Sequence, residues 1–461
     1  MILHENALAY LLRFLTGVDD EAVLRTFRIG YTNEEEKFAH YDLVFIPSGF
    51  FESENYGKAS SIPISPLQEI NGIPFLYGTN SVERRGDTVL VYADLPASAF
   101  FFLSRYEEIC RREVRDPHGR FPGKESFAYR NDLLCRPLAD EYGVLIRQWL
   151  RSAGKEIPEP EPKVGKVWIT HDLDQPFFCK SLRSVVRETV RGKGLPYALK
   201  VFFGKIEDPY DTFSWMFQVE EEHLKKLPYP WQTIYFIKAG GVAFYDKPRY
   251  KLNSRRIKRL IRQITAHKAL LGLHGSYGAA EIGASLLEKK HLESFTKRKL
   301  GIGRNKIFLF RSHYLRSLEP EDFRKLEKIG ITDDFTMGYA DVAGFRLGTS
   351  RPVVWIDPAR GTLSQLVLHP LTVMDGTLHN KDYMFLSEDA AKEYCAGLFE
   401  KTRRFGGDIC LLWHNSTLIG NAYPGPAVPW ARSFYLYILD YLANMESPDT
   451  ISEESTISSL L

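Results

Sequence analysis

The residues best suited to chemistry gather in Val167-Trp168-Ile169-Thr170-His171-Asp172-Leu173-Asp174. An apolar run, β-branched at Val167 and Ile169, predicts a buried strand. It delivers a histidine and two carboxylates within four residues. Acids at i and i+2 of an extended segment point to one side, so Asp172 and Asp174 can share a site. In parallel α/β proteins chemistry collects at the carboxyl ends of strands. Other predicted strand ends carry His274, then Arg311, His313 and Arg316, then Asp333 and Asp334, then His369, and last His414 with Asn415. Five of the twelve histidines thus stand at or just after strand ends. One such histidine alone is usually structural; five opening on one face, with acids beside them, favour a site.

Those residue types fit one kind of chemistry. Asp and His ligands from separate strands suit a divalent ion such as Zn²⁺ with an open position for water. A bound ion would acidify that water and polarise a carbonyl. A neighbouring carboxylate would accept the water's proton, and an arginine would hold that carboxylate ionised and oriented. A protonated histidine on the far side would donate to the leaving group. These are the parts of a metal-dependent hydrolase.

The elements that must position them are legible as an alternation. Strands are predicted at 167–171, 233–238, 270–274, 306–310, 331–334, 353–356, 366–369 and 409–413, with helices at 212–226, 253–267, 280–299, 319–329 and 388–404. Such alternation predicts an α/β fold with a parallel sheet. Pro158, Pro160 and Pro162 mark a linker at 154–163. Before it, residues 1–153 predict a smaller α/β accessory domain, with helices at Ala97–Arg112 and Leu138–Arg151. After it, 164–446 predicts the strand–helix domain, and 447–461 a mobile tail.

Composition narrows the class. Lys plus Arg number 60 against 58 Asp plus Glu, so no global charge points to nucleic acid. No apolar run is long enough to span a bilayer, and the start lacks the features of a signal peptide. Five scattered cysteines (Cys110, Cys135, Cys179, Cys395, Cys410) suggest reduced thiols and a cytoplasmic setting. No sequence feature sets an oligomeric state.

Taken in order, Thr-His-Asp-Leu-Asp, Leu-His-Gly-Ser-Tyr, Phe-Arg-Ser-His-Tyr, Thr-Asp-Asp-Phe and Leu-Trp-His-Asn resemble the successive motifs of polysaccharide deacetylases. The resemblance covers roughly residues 165–445. The stretch 332–349 further resembles a bacterial subgroup with an extra N-terminal domain. The resemblance implies a distorted, incomplete (β/α) barrel of about seven parallel strands, a divalent metal (Zn²⁺), and removal of acetyl groups from an acetylated carbohydrate. It implies Asp172 as general base, Asp174 and His274 as metal ligands, Arg311 as the residue orienting the base, and His414 as the acid. One position departs: the second motif's usual further histidine is Gly278 here. His313, His369 or water then supplies the third ligand. Tyr277, Tyr314, Asp333, Asp334, His369 and Asp375 are candidates for contact with substrate, and Trp355, Trp413 and Tyr339 for stacking on sugar faces. Two alternatives stand beside the deacetylase: a non-catalytic carbohydrate-binding relative without the metal, and a glycoside hydrolase pairing Asp172 with Asp333 or Asp334.

Overall fold

The computed structural model describes residues 3–178, 182–190, 194–279, 283–302, 306–419 and 430–445. Cys179 and the tail 447–461 lie outside the described residues. The protein is mixed α/β with mostly parallel strands, compatible with a partial barrel. The chain forms two compact units: Met1–Pro162 with Leu315–Thr372 and Glu400–Asp408, and Lys163–Tyr314 with Val373–Phe399 and Ile409–Leu461.

In the first unit, Ile29–Tyr31, Leu43–Phe45 and Thr88–Ala93 pair in parallel, and Gly78–Arg85 joins antiparallel at an edge. The predicted helix at Ala97–Arg112 is two helices, Leu95–Leu103 and Tyr106–Cys110. Asp94 caps the first, accepting from the Ala97 N–H at 3.0 Å. The break falls at Arg105, whose φ is 58°. That turn sends its guanidinium inward to Glu108 and Glu319. Glu108 also accepts from Arg346 at 2.9 Å. In the same unit Asp333–Met337 runs parallel to Thr362–Pro370, but Val353–Asp357 is antiparallel to it. The short connection Pro358–Gly361 explains this, because a parallel return needs a longer crossover.

Glu108 carries this buried network. Burial works against its charge, yet Arg105 and Arg346 hold its carboxyl down at about 2. Its folded value lies below its ordinary 4.5, so its stabilising contribution is complete above that pH and fades as pH falls toward 2. Glu108→Ala leaves two buried guanidinium groups short of a partner and should cost about 3–5 kcal/mol in chemical denaturation. A loss below about 1 kcal/mol, the level of a surface pair, would show the network to be dispensable.

The second unit holds six strands in one parallel sheet, ordered Leu309–Ser312, Leu270–Gly275, Trp231–Lys238, Val167–Leu173, Ile409–Trp413 and Val373–Met374. Helix Arg255–Ala266 shows how the flanking layer forms. Ser254 caps it, and Ile257, Leu260, Ile261 and Ile264 are its buried stripe. Its arginines 255, 256 and 259 face solvent. Register then sets the chemistry. Lys238 pairs with His274, and His274 with Arg311, so side chains from three strand ends stand in one row. Phe236 stands in the row of Asp172 and Gly272. A Cβ on Gly272 would come within 2.4 Å of the Phe236 ring, so only glycine lets that ring lie flat there. Arg311 passes over the same ring, its Cζ 4.5 Å from the centroid.

Candidate metal centre

Alternation along Val167–Leu173 separates two sets of side chains. Thr170, Asp172 and Asp174 turn toward Arg311 and His274. His171 turns the other way, and its nitrogens meet the Trp413 carbonyl and the Glu220 carboxylate, each at 2.9 Å. Tyr435 donates to the same Glu220 oxygen at 2.9 Å. His171 is therefore a buried strut between strand and helices, although it stands in the motif.

Among the described residues, one group could hold a metal ion: Asp174, His274 and His313, whose ligand atoms lie within 4.8 Å of one another. His313 Nε2 stands 3.1 Å and His274 Nε2 3.3 Å from Asp174 Oδ1. Ligand atoms in a tetrahedron with bonds of 2.0–2.2 Å are about 3.4 Å apart, so the spacing fits. The back of each ring is engaged. His274 Nδ1 donates to the Arg311 carbonyl at 3.0 Å, which leaves a lone pair on Nε2. His313 Nδ1 faces Asp246 Oδ1 at 3.3 Å, and that carboxylate is fixed by the Tyr277 and Ala243 N–H groups at 2.7 and 3.0 Å. Carboxylates and carbonyls in this position orient metal-binding imidazoles. His274 Nε2 and Asp174 Oδ1 are buried atoms without a hydrogen bond. Two orphaned acceptors facing each other fit a cation between them.

The electrostatics agree. Burial opposes the Asp174 charge, but His313 and Lys238, with the His274 ring close by, hold its carboxyl well below the usual range. Lys238 Nζ is 3.4 Å from Asp174 Oδ1 and belongs to the group, though it went unnoticed among the candidate residues. Its signal was available, because Lys238 ends the second predicted strand. Asp246 was missed for a better reason: it ends a single 3-10 turn at Phe244–Asp246, too short for a periodic pattern to mark it.

Asp172 sits beside the group. Arg311 Nη1 is 3.1 Å from its Oδ1 and donates to Thr170 Oγ1 at 2.7 Å, and His274 Nε2 is 3.6 Å from its Oδ2. His414 comes from the neighbouring strand, where Trp413 is in register with His171. Its Nε2 is 3.7 Å from Asp174 Oδ2. Its Nδ1 and backbone N–H both bond Asp375 at 2.8 Å, and Thr417 donates to Asp375 at 2.6 Å. Burial disfavours the His414 imidazolium, but Asp375, with Asp174 and Asp172 beyond, pushes its pKa up to about 10. Asp375 is held down at about 2 by the same pair, against its burial.

Tyr277 and Tyr314 stand next to the group. Their ring centroids are 5.5 Å apart, and Tyr314 is 4.7 Å from His313. Tyr245 completes the aromatic wall, 4.7 Å from Tyr277. Gly278, at the motif's missing histidine, has open space around it. Trp413 belongs to the second unit, and Asp333, Asp334, His369, Trp355 and Tyr339 to the first. There His369 bonds Asp333 at 2.9 Å and stacks on Phe335 at 4.2 Å, while Asp334 is fully buried and accepts from the Thr336 N–H. Trp355 and Trp413 are buried, as is Tyr339 beneath the Arg346 guanidinium.

No helix among the described residues is long and apolar enough to cross a membrane. Residues 2–155 match a family described as a family of unknown function (DUF7033). No curated protein matches the chain. Among solved structures, a protein assigned as a polysaccharide deacetylase from Mycobacterium smegmatis is 14% identical, with a TM-score of 0.39, over 63% of this chain and 87% of that one. A 4-alpha-glucanotransferase from Thermococcus litoralis is 12% identical, with a TM-score of 0.35, over 61% of this chain and 38% of that one.

Proposed function

We propose that this protein is a metal-dependent hydrolase that removes an acetyl group from an acetylated sugar. The observation carrying the proposal is the pair of orphaned atoms, His274 Nε2 and Asp174 Oδ1, with His313 Nε2 beside them. Asp174, His274 and His313 would hold one divalent ion, Zn²⁺ by donor type. When bound, it supplies a polarised carbonyl and an acidified water. Asp172, gripped by Arg311, accepts the proton of the attacking water. His414, charged through its pairing with Asp375, gives a proton to the departing amine or alcohol. Tyr277 and Tyr314 offer a face for the sugar ring. The acetylated sugar as substrate rests on the motif resemblance.

The test is acetate release from an N-acetylated amino-sugar oligomer. Acetate should appear, stop on chelation and return with Zn²⁺. Reducing ends without acetate would replace the proposal with a glycoside hydrolase. A second reading has Lys238 on its side: an ammonium already faces Asp174, as in a carbohydrate-binding relative that needs no metal. Purified protein without bound metal, and with no thermal stabilisation by added Zn²⁺, would favour it.

The acid role makes a pH prediction. A proton donor works only while protonated, so turnover falls as pH rises through its pKa. His414 is raised to about 10, chiefly by Asp375 against its burial. Asp375→Asn should let it drop toward the ordinary value of about 6.5, moving the alkaline limb of the kcat profile to lower pH. An unmoved limb would take His414 out of the acid role.

A further inference from the structure

Beyond the metal group, the second unit carries a helical hairpin with an unusual outer face. It comes next in the chain after the strand Val167–Leu173. Its helices are Leu182–Glu188 and Leu195–Phe202. Phe178, Val185, Ala198 and Val201 form its inner core. The base is tied down, because Asp208 accepts from the Phe178 and Tyr210 N–H groups and Asn415 donates to the Tyr210 carbonyl at 2.7 Å.

The outer face is apolar where a water-facing helix is normally polar. Leu182, Val186 and Val190 are spaced four residues apart and so form one stripe. With Leu195 and Phe203 they are between 47% and 82% exposed. The exposed flanking charge leans basic. Over 182–190 and 194–208 the basic residues are Arg183, Arg187, Lys200 and Lys205, and the acids are Glu188, Glu207 and Asp208, of which Asp208 pairs with Arg256 at 3.0 Å. Glu188 is buried and paired with Arg187 at 2.6 Å. Arg183, Lys200 and Lys205 are exposed, against one exposed acid, Glu207. The chain as a whole is nearly balanced, 60 basic against 58 acidic, so this excess is local.

An exposed apolar stripe edged with cations, on a helix too short to span a bilayer, is the pattern of a segment that lies in a membrane interface. We propose that this hairpin docks on an anionic lipid bilayer, its apolar residues entering the acyl boundary and its cations meeting phosphate headgroups. A protein groove could take the stripe alone, but it would not by itself explain the cationic rim. The proposal does not depend on the hydrolase reading.

The experiment is vesicle flotation of the full chain with phosphatidylglycerol–phosphatidylcholine vesicles and with phosphatidylcholine alone. Binding should require the anionic lipid and weaken with salt. Each cation near the surface contributes roughly fivefold in partitioning, so Arg183→Glu/Lys200→Glu/Lys205→Glu should reduce it at least about 100-fold. Leu182→Asp/Val186→Asp/Phe203→Asp should abolish it. All six positions are exposed, so these variants should melt like the wild type. His274→Ala should float as the wild type does, which keeps failure of the metal reading distinct from failure here. Absence of binding, equal binding to neutral vesicles, or unchanged binding by both triple variants would overturn the proposal. So would self-association in sedimentation that the apolar variant abolishes, since the face would then belong to a second copy.

Discussion

Asp172→Asn should lower turnover by about 10²–10⁴-fold, the usual contribution of a general base, while leaving fold and metal content nearly intact. The substitution keeps the shape of a side chain that is almost fully buried. It removes the charge that faces the Arg311 guanidinium at 3.1 Å and lies 3.6 Å from His274 Nε2. Arg311 retains Thr170 Oγ1 as an acceptor at 2.7 Å, so it should stay in place over Phe236. The loss should appear in kcat, because the carboxylate is needed for the chemical step and not for holding the sugar. Metal content and melting temperature are measured beside the rate. Full activity in this variant would move the base to another acid.

His274→Ala should abolish tight metal binding. Changing a residue that only orients a ligand costs about 10–100-fold in affinity, and loss of a ligand should exceed that clearly. The difference is visible in the atoms. His274 contributes Nε2, which has no hydrogen bond, while Asp246 only braces the far side of His313. Asp246→Asn should therefore fall in the milder range, and His274→Ala well beyond it, in titration calorimetry with Zn²⁺. Unchanged affinity in His274→Ala would remove that imidazole from the group.

Much of the second unit was legible because its strands announce themselves twice, as apolar runs and as polar residues where the runs stop. The i, i+2 argument placed Asp172 and Asp174 on one side, and the same alternation sends His171 to the opposite side, against Glu220. The third nitrogen could not be chosen from sequence. His313 and His369 both follow strands, and only the three-dimensional pairing shows His313 beside Asp174 and His369 occupied by Asp333. Lys238 was overlooked although the strand-end rule includes it. Asp375, a candidate for substrate contact by sequence, opens the short helix Asp375–His379 and is the group that charges His414. The break at Arg105 was hidden for a different reason: helical periodicity continues through it, and the buried partners that draw the guanidinium inward lie far along the chain at Glu319 and Arg346.

The account stands most directly on one crystallographic measurement, an anomalous difference map from Zn²⁺-loaded crystals collected at the zinc edge. It predicts a single strong peak within about 2.0–2.2 Å of Asp174 Oδ1, His274 Nε2 and His313 Nε2, with Lys238 Nζ turned away from it. A map with no peak among these three side chains, or with Lys238 still against Asp174 and the ion elsewhere, would contradict it.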